Sequence, residues 1–169
     1  MDIETVAAYF YESCGLSDDP SIDPGDALGV IDAAFLTSDC DDLAWVLSKI
    51  TGWPGRTIIW NMGDCLTGHH SVVEAPDGRF LDVSGWTDRA SIAVRAGKEE
   101  RFLDVHELRH YPFNFLEFSD DEGMEMILGV LDVVGRPPFT EDGFRKAIEL
   151  YRQSLPTCEP SPHVCPAPR

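Results

Sequence analysis

A thiol becomes an effective nucleophile when its thiolate is stabilised and a base stands beside it. Cys40 is the cysteine best placed for this. It falls in the first turn of a helix that Ser38 or Asp39 can cap, and that Leu43, Val46, Leu47 and Ile50 give an apolar face. Gly52 and Pro54 end that helix. The unpaired N–H groups and the positive dipole end of the first turn favour a thiolate, and they could hold the oxyanion of a tetrahedral intermediate. Asp39, Asp41 and Asp42 act the other way, since negative charge disfavours ionising the thiol.

The base should come from a hairpin downstream. His70-Ser71-Val72-Val73-Glu74 and Phe80-Leu81-Asp82-Val83-Ser84 alternate as strands around Pro76-Asp77-Gly78. Ala-Pro-Asp-Gly-Arg suits a three-residue loop, with a type I turn on Pro76-Asp77 and a left-handed Gly78. That loop pairs Ala75 with Arg79, so His70, Val72, Asp82 and Ser84 share one face and His69 points to the other. His70 and Asp82 are then diagonal neighbours, close enough for a carboxylate to meet an imidazole. A two-residue turn would select His69 instead.

The two stretches SDCDDLAWVLSKITGW and GHHSVVEAPDGRFLDVSGW resemble the core of the papain-like and transglutaminase-like cysteine enzymes. In that superfamily a Cys opens a helix, a His stands on a following strand and an Asp or Asn on the next. The resemblance spans residues 38–86. It implies Cys40 as nucleophile, His70 as general acid/base and Asp82 as the orienting group, performing acyl transfer on a protein or peptide-like amide.

A second pattern competes. His106-Glu107-Leu108-Arg109-His110 matches H-E-x-x-H, in which a helix sets two histidines one turn apart to hold zinc while Glu activates water. The expected zinc site would be His106 and His110 with Glu107. Pro112 follows at once and biases Tyr111 away from helix, which works against the pattern. Cys158, His163 and Cys165 fit no standard zinc spacing. Cys65, in a turn-rich loop next to the histidines, could be a second thiol near the site. Trp45, Trp53, Trp60 and Trp86 flank the same region and are expected to be core residues that could wall a cleft.

The surrounding elements follow from periodicity. Helices are expected over 2–14, 25–35 and from about 39 to Gly52, then strands at 57–60, 70–74 and 80–84. Two more helices follow, one from near Ser119 to Gly135 and one capped by Thr140 that carries Phe144, Ile148 and Tyr151. The class is α+β: N-terminal helices, a small antiparallel sheet with the PDG hairpin, and C-terminal helices. Residues 1–153 read as a single domain and 154–169 as a proline-rich tail.

Bulk properties narrow the function. The 169 residues carry 30 acidic and 13 basic side chains, a net charge of −17, with 43% hydrophobic residues. Such a surface repels phosphate backbones and anionic lipids, so neither nucleic acid nor membrane is an expected partner. No apolar run approaches the roughly 18 residues of a membrane helix. The opening MDIETVAAYFYESCG reads as an amphipathic helix rather than an export signal, so the cytoplasm is the expected compartment. Five cysteines, an odd number, then read as free thiols, with no cofactor required. The acidity leaves one non-catalytic alternative, an acidic binding or inhibitor protein for a basic partner.

Overall fold

The computed structural model describes residues 2–64, 66–109 and 120–155. Among these the chain forms six α-helices and one antiparallel sheet of five strands, an α+β architecture. Three helices come first: α1 (Ile3–Ser13), α2 (Ala27–Thr37) and α3 (Cys40–Thr51). Four strands follow: β1 (Gly55–Gly63), β2 (Leu66–Glu74), β3 (Phe80–Asp82) and β4 (Gly85–Thr87). A short helix α4 (Arg89–Arg95) and strand β5 (Asp104–Glu107) precede α5 (Asp120–Val133) and α6 (Asp142–Ser154). The strand order is β4-β3-β2-β1-β5, which puts β2 at the centre of the sheet.

The sheet is covered on both faces, and this sets what each strand residue meets. Val73, Leu81 and Val83 pack into the main core with Phe10, Phe35, Leu43, Leu47, Ile127 and other buried residues of α1, α2, α3 and α5. The next residues along, Val72 and Phe80, join Ile58 in a second core closed by Ile92 and Ala93 of α4 and by Leu103. The alternation expected of strands thus divides into two apolar cores on opposite sides.

The hairpin has the register its turn residues dictate. Ala75 N donates to Arg79 O at 2.8 Å and Gly78 N to Ala75 O at 2.9 Å. Gly78 takes φ 84, the left-handed conformation that the three-residue loop needs. Val73 then faces Leu81 and Glu74 faces Phe80.

Several expectations shift in detail. α3 begins at Cys40 and ends at Gly52, but neither expected side chain caps it. Ser38 ends α2, and the Asp39 side chain, at the N-cap position, makes no capping bond. Its carboxylate instead accepts from the Cys14 thiol at 3.1 Å, a tertiary contact unseen in local sequence. α6 begins two residues past Thr140, with Glu141 at the N-cap. The first strand runs from Gly55 to Gly63, longer than expected, because it pairs with β2 on one side and β5 on the other.

One long-range tie joins the C-terminal third to the sheet. Arg136 makes a two-pronged pair with Asp32 of α2 at 2.6 and 2.5 Å, and donates to the Val83 carbonyl at 3.2 Å. Val83 directly follows β3. From residue 156 on, the expected tail lies outside the described residues, and Cys158, His163 and Cys165 with it.

Candidate functional site

Cys40 is the first residue of α3, and its side chain is almost wholly enclosed. The Ser71 backbone N–H bonds to the sulfur, and Asp41 Oδ1 lies 3.8 Å from it. Burial pushes the thiol up to about 12, and the Asp41 carboxylate beside it adds to the rise. The Ser71 N–H favours the thiolate but is outweighed. Cys40 therefore rests as a neutral thiol near pH 7, and the expected opposition from the aspartates falls chiefly to Asp41.

On the other face of β2 the expected His–Asp pair is formed. His70 Nε2 lies 3.0 Å from Asp82 Oδ2, and both residues are buried. Asp82 is held from three directions. Arg95 Nη2 donates to Oδ2 at 2.7 Å, and the Ser84 N–H donates to Oδ1 at 2.8 Å. Burial alone would raise the Asp82 carboxyl, but the His70 hydrogen bond and the Arg95 charge overcome it and hold the group below the usual carboxylate range. An ionised carboxylate only accepts hydrogen bonds, so the ring proton belongs on Nε2 and the lone pair of the neutral ring on Nδ1. Nδ1 is buried and has no hydrogen-bond partner, Cys40 included.

His70 lines a cleft of about 450 Å³ together with Trp60, Met62, Thr67, His69 and Arg95. Gly68 is tightly placed here: a Cβ on it would fall 2.4 Å from the Trp60 ring. The bare backbone at that position lets the indole lie against β2, one residue before the two histidines. Trp53 and Trp86 are a pair, with ring centroids 6.0 Å apart, and the Arg79 guanidinium sits 4.0 Å over Trp86. Of the four tryptophans, Trp60 is the one that lines this cleft.

His69 belongs to the Cys40 side. Its Nε2 lies 3.7 Å from Asp41 Oδ1, and the Cys40 sulfur, an Asp41 oxygen and a His69 ring nitrogen all fall within 4.8 Å of one another. Ser71 Oγ donates to Asp41 Oδ1 at 2.5 Å and meets Thr57 Oγ1 at 3.1 Å. Adjacent histidines on one strand have therefore been assigned to different groups: His70 to Asp82, His69 to Asp41 and Cys40.

Among the described residues, 106–109 do not form the helix that the H-E-x-x-H pattern requires. His106 and Glu107 lie on β5, an exposed strand paired with the outer edge of β1, where His106 faces Thr57 and Glu107 faces Arg56. Pairing there satisfies an edge that would otherwise present open N–H and C=O groups. Consecutive strand residues point to opposite faces, so these two do not share one. His110, like Cys65, lies outside the described residues.

Two participants escaped the sequence reading. Arg95 sits at the end of α4, whose only local signal is Asp88, which caps it by accepting from Ser91 N at 2.7 Å. Asp41 shows in the sequence only as a charge opposing the thiolate. No helix among the described residues is long and apolar enough to cross a membrane. Comparison with models of known protein families, with curated proteins and with solved structures found no match to this chain.

Proposed function

We propose that the protein is a cysteine-nucleophile acyl-transfer enzyme acting on an amide or thioester, with Cys40, His70 and Asp82 as its working groups. The observation that carries this reading is the buried 3.0 Å bond from His70 Nε2 to Asp82 Oδ2, which leaves Nδ1 as the unpaired base. Ser71, whose N–H touches the Cys40 sulfur, is the next residue in the chain. The order of a helix carrying Cys, then a strand carrying His, then a strand ending in Asp also agrees with the papain-like and transglutaminase-like pattern.

Because the thiol rests neutral, Cys40 works here as a serine does, giving up its proton as it attacks. Cys40 and His70 rest on opposite faces of β2, so this reading requires a rearrangement that brings the sulfur to Nδ1; there Nδ1 takes the thiol proton as an S–C bond forms at the acyl carbon. The first-turn N–H groups of α3, free of any Asp39 side-chain cap, face the developing oxyanion. Collapse breaks the bond to the leaving amine or thiol, which takes the proton from His70. Water or an amine then attacks the thioester and passes its proton to Nδ1; the S–C bond breaks, and the departing sulfur takes that proton back to restore the neutral thiol. Asp82 fixes the ring and stabilises its protonated form.

The test is intact-mass detection of an acyl adduct after mixing the protein with a panel of small acyl thioesters. An adduct mapped to Cys40, absent in Cys40→Ala and formed at least about 100-fold more slowly in His70→Ala, is expected. Adducts that ignore both substitutions overturn the reading.

One observation favours a second arrangement, with His69 as base and Asp41 as its partner: that pair lies closest to the sulfur at rest. The same assay on His69→Ala separates the two, since only the true base removes most of the acylation rate.

A further inference from the structure

Two clusters sit back to back on β2, and the reaction proposed above uses only one of them fully. The other holds a sulfur, a carboxylate and an imidazole converging on one point. Cys40 Sγ lies 3.8 Å from Asp41 Oδ1, His69 Nε2 lies 3.7 Å from the same oxygen, and the three donor atoms are mutually within 4.8 Å. In a tetrahedral zinc site, bonds of about 2.0–2.3 Å put neighbouring donor atoms roughly 3.3–3.5 Å apart. The two spacings to Asp41 Oδ1 need to close by only a few tenths of an ångström, and the Cys40–His69 spacing, within 4.8 Å, by at most about 1.3 Å.

We propose that Cys40, Asp41 and His69 form a three-ligand site for a borderline divalent cation of the zinc type, and that its occupancy withdraws Cys40 from chemistry.

The donor set suits such an ion. One thiolate, one carboxylate and one neutral imidazole are the ligand types zinc takes, and the two negative charges balance its own. The carboxylate is already oriented, because the Ser71 hydroxyl donates to Asp41 Oδ1 and Thr57 backs Ser71. Such outer partners fix the aim of a metal ligand. Access also exists. Half of the His69 side chain is exposed, and Asp41 opens on a cleft of about 540 Å³ that it shares with Thr57, Ile59 and His106. Solvent there can supply the fourth ligand. On binding, a metal–sulfur bond replaces the S–H bond and the thiol proton passes to buffer.

Metal binding itself follows from this geometry alone. The inhibitory half rests on the acyl-transfer reading, because it takes Cys40 as the nucleophile.

The experiment is a calorimetric titration of chelator-treated full-length protein with zinc chloride, repeated on His69→Ala, His70→Ala and His106→Ala. One zinc per chain is expected for the unaltered protein. Affinity should fall in His69→Ala by more than the roughly 10–100-fold that loss of an outer partner costs. It should stay unchanged in His70→Ala and His106→Ala. Stoichiometric zinc should also protect Cys40 from iodoacetamide, read by peptide mapping. Absence of binding, or binding that ignores His69 and depends on His106, overturns the proposal. An adduct-free thioester assay on metal-free protein would sink the acyl-transfer reading and leave the zinc titration standing.

Discussion

Arg95 Nη2 lies 2.7 Å from Asp82 Oδ2, the same oxygen that meets His70 Nε2. One atom thus serves a fixed cation and a titratable ring. Asp82 is almost fully enclosed and Arg95 about a third exposed, so the arginine closes the carboxylate off from water.

Removing that cation leaves a buried carboxylate with weaker compensation. Arg95→Met should destabilise the fold by about 1–3 kcal/mol at neutral pH, read from urea unfolding. An unchanged midpoint would mean that solvent already screens the pair.

The Asp82 carboxyl is held below its usual range, so the folded protein keeps it ionised at pH values where the unfolded chain has taken up a proton. Its contribution is complete above the ordinary carboxylate value of about 3.9 and disappears as pH falls through the lower folded value. Wild type minus Asp82→Asn stability, followed by unfolding from about pH 7 down to about pH 3, should shrink towards the acid end. A difference that does not vary with pH would contradict the assignment.

Both described free thiols behave in the opposite sense. Burial pushes Cys14 and Cys40 from 9.0 to about 12. The folded form therefore retains these protons where the unfolded chain loses them. Stability should be whole below pH 9.0 and decline as pH rises towards about 12. Thermal unfolding of wild type and of Cys14→Ala/Cys40→Ala across that window measures the effect, which the double variant should lack.

The same neutral thiol sets a kinetic expectation. Iodoacetamide labelling of Cys40 in metal-free protein should climb by about tenfold per pH unit through the neutral range, following the thiolate fraction. A plateau near pH 6 would reveal a resting thiolate–imidazolium pair instead.

Gly68→Ala tests the cleft wall. The added methyl would meet the Trp60 ring at 2.4 Å, so the indole must move. We expect a loss of about 1–3 kcal/mol and a change in tryptophan emission. A variant with native stability and spectrum would show that Trp60 has room to yield.

The sequence made the hairpin readable because the signal was local. Pro76, Asp77 and Gly78 specify one turn, the turn specifies the register, and the register places His70 and Asp82 on one face. The apolar face of α3 and its stop at Gly52 were legible for the same reason. What could not be read depends on contacts across long separations. HELRH has helical ligand spacing, yet its first residues are a strand because β1 has an open edge. Asp39 reads as a cap until Cys14, 25 residues earlier, claims its carboxylate. Which histidine the Cys40 sulfur approaches is set by how α3 packs on β2, and alternation along the strand does not contain that.

The tie from Arg136 to Asp32 and the Val83 carbonyl has a bearing on biosynthesis. A ribosome that has released residues up to the hairpin has already delivered Cys40, His70 and Asp82. It has not delivered the arginine that pins the chain as it leaves β3, which pairs with Asp32 across 104 positions. Contacts of such separation form late because loop closure must come first. The chain leaving β3 thus gains this tie only when the segment bearing Arg136 docks, whereas the His70–Asp82–Arg95 group lies wholly within residues 70–95 and assembles without it.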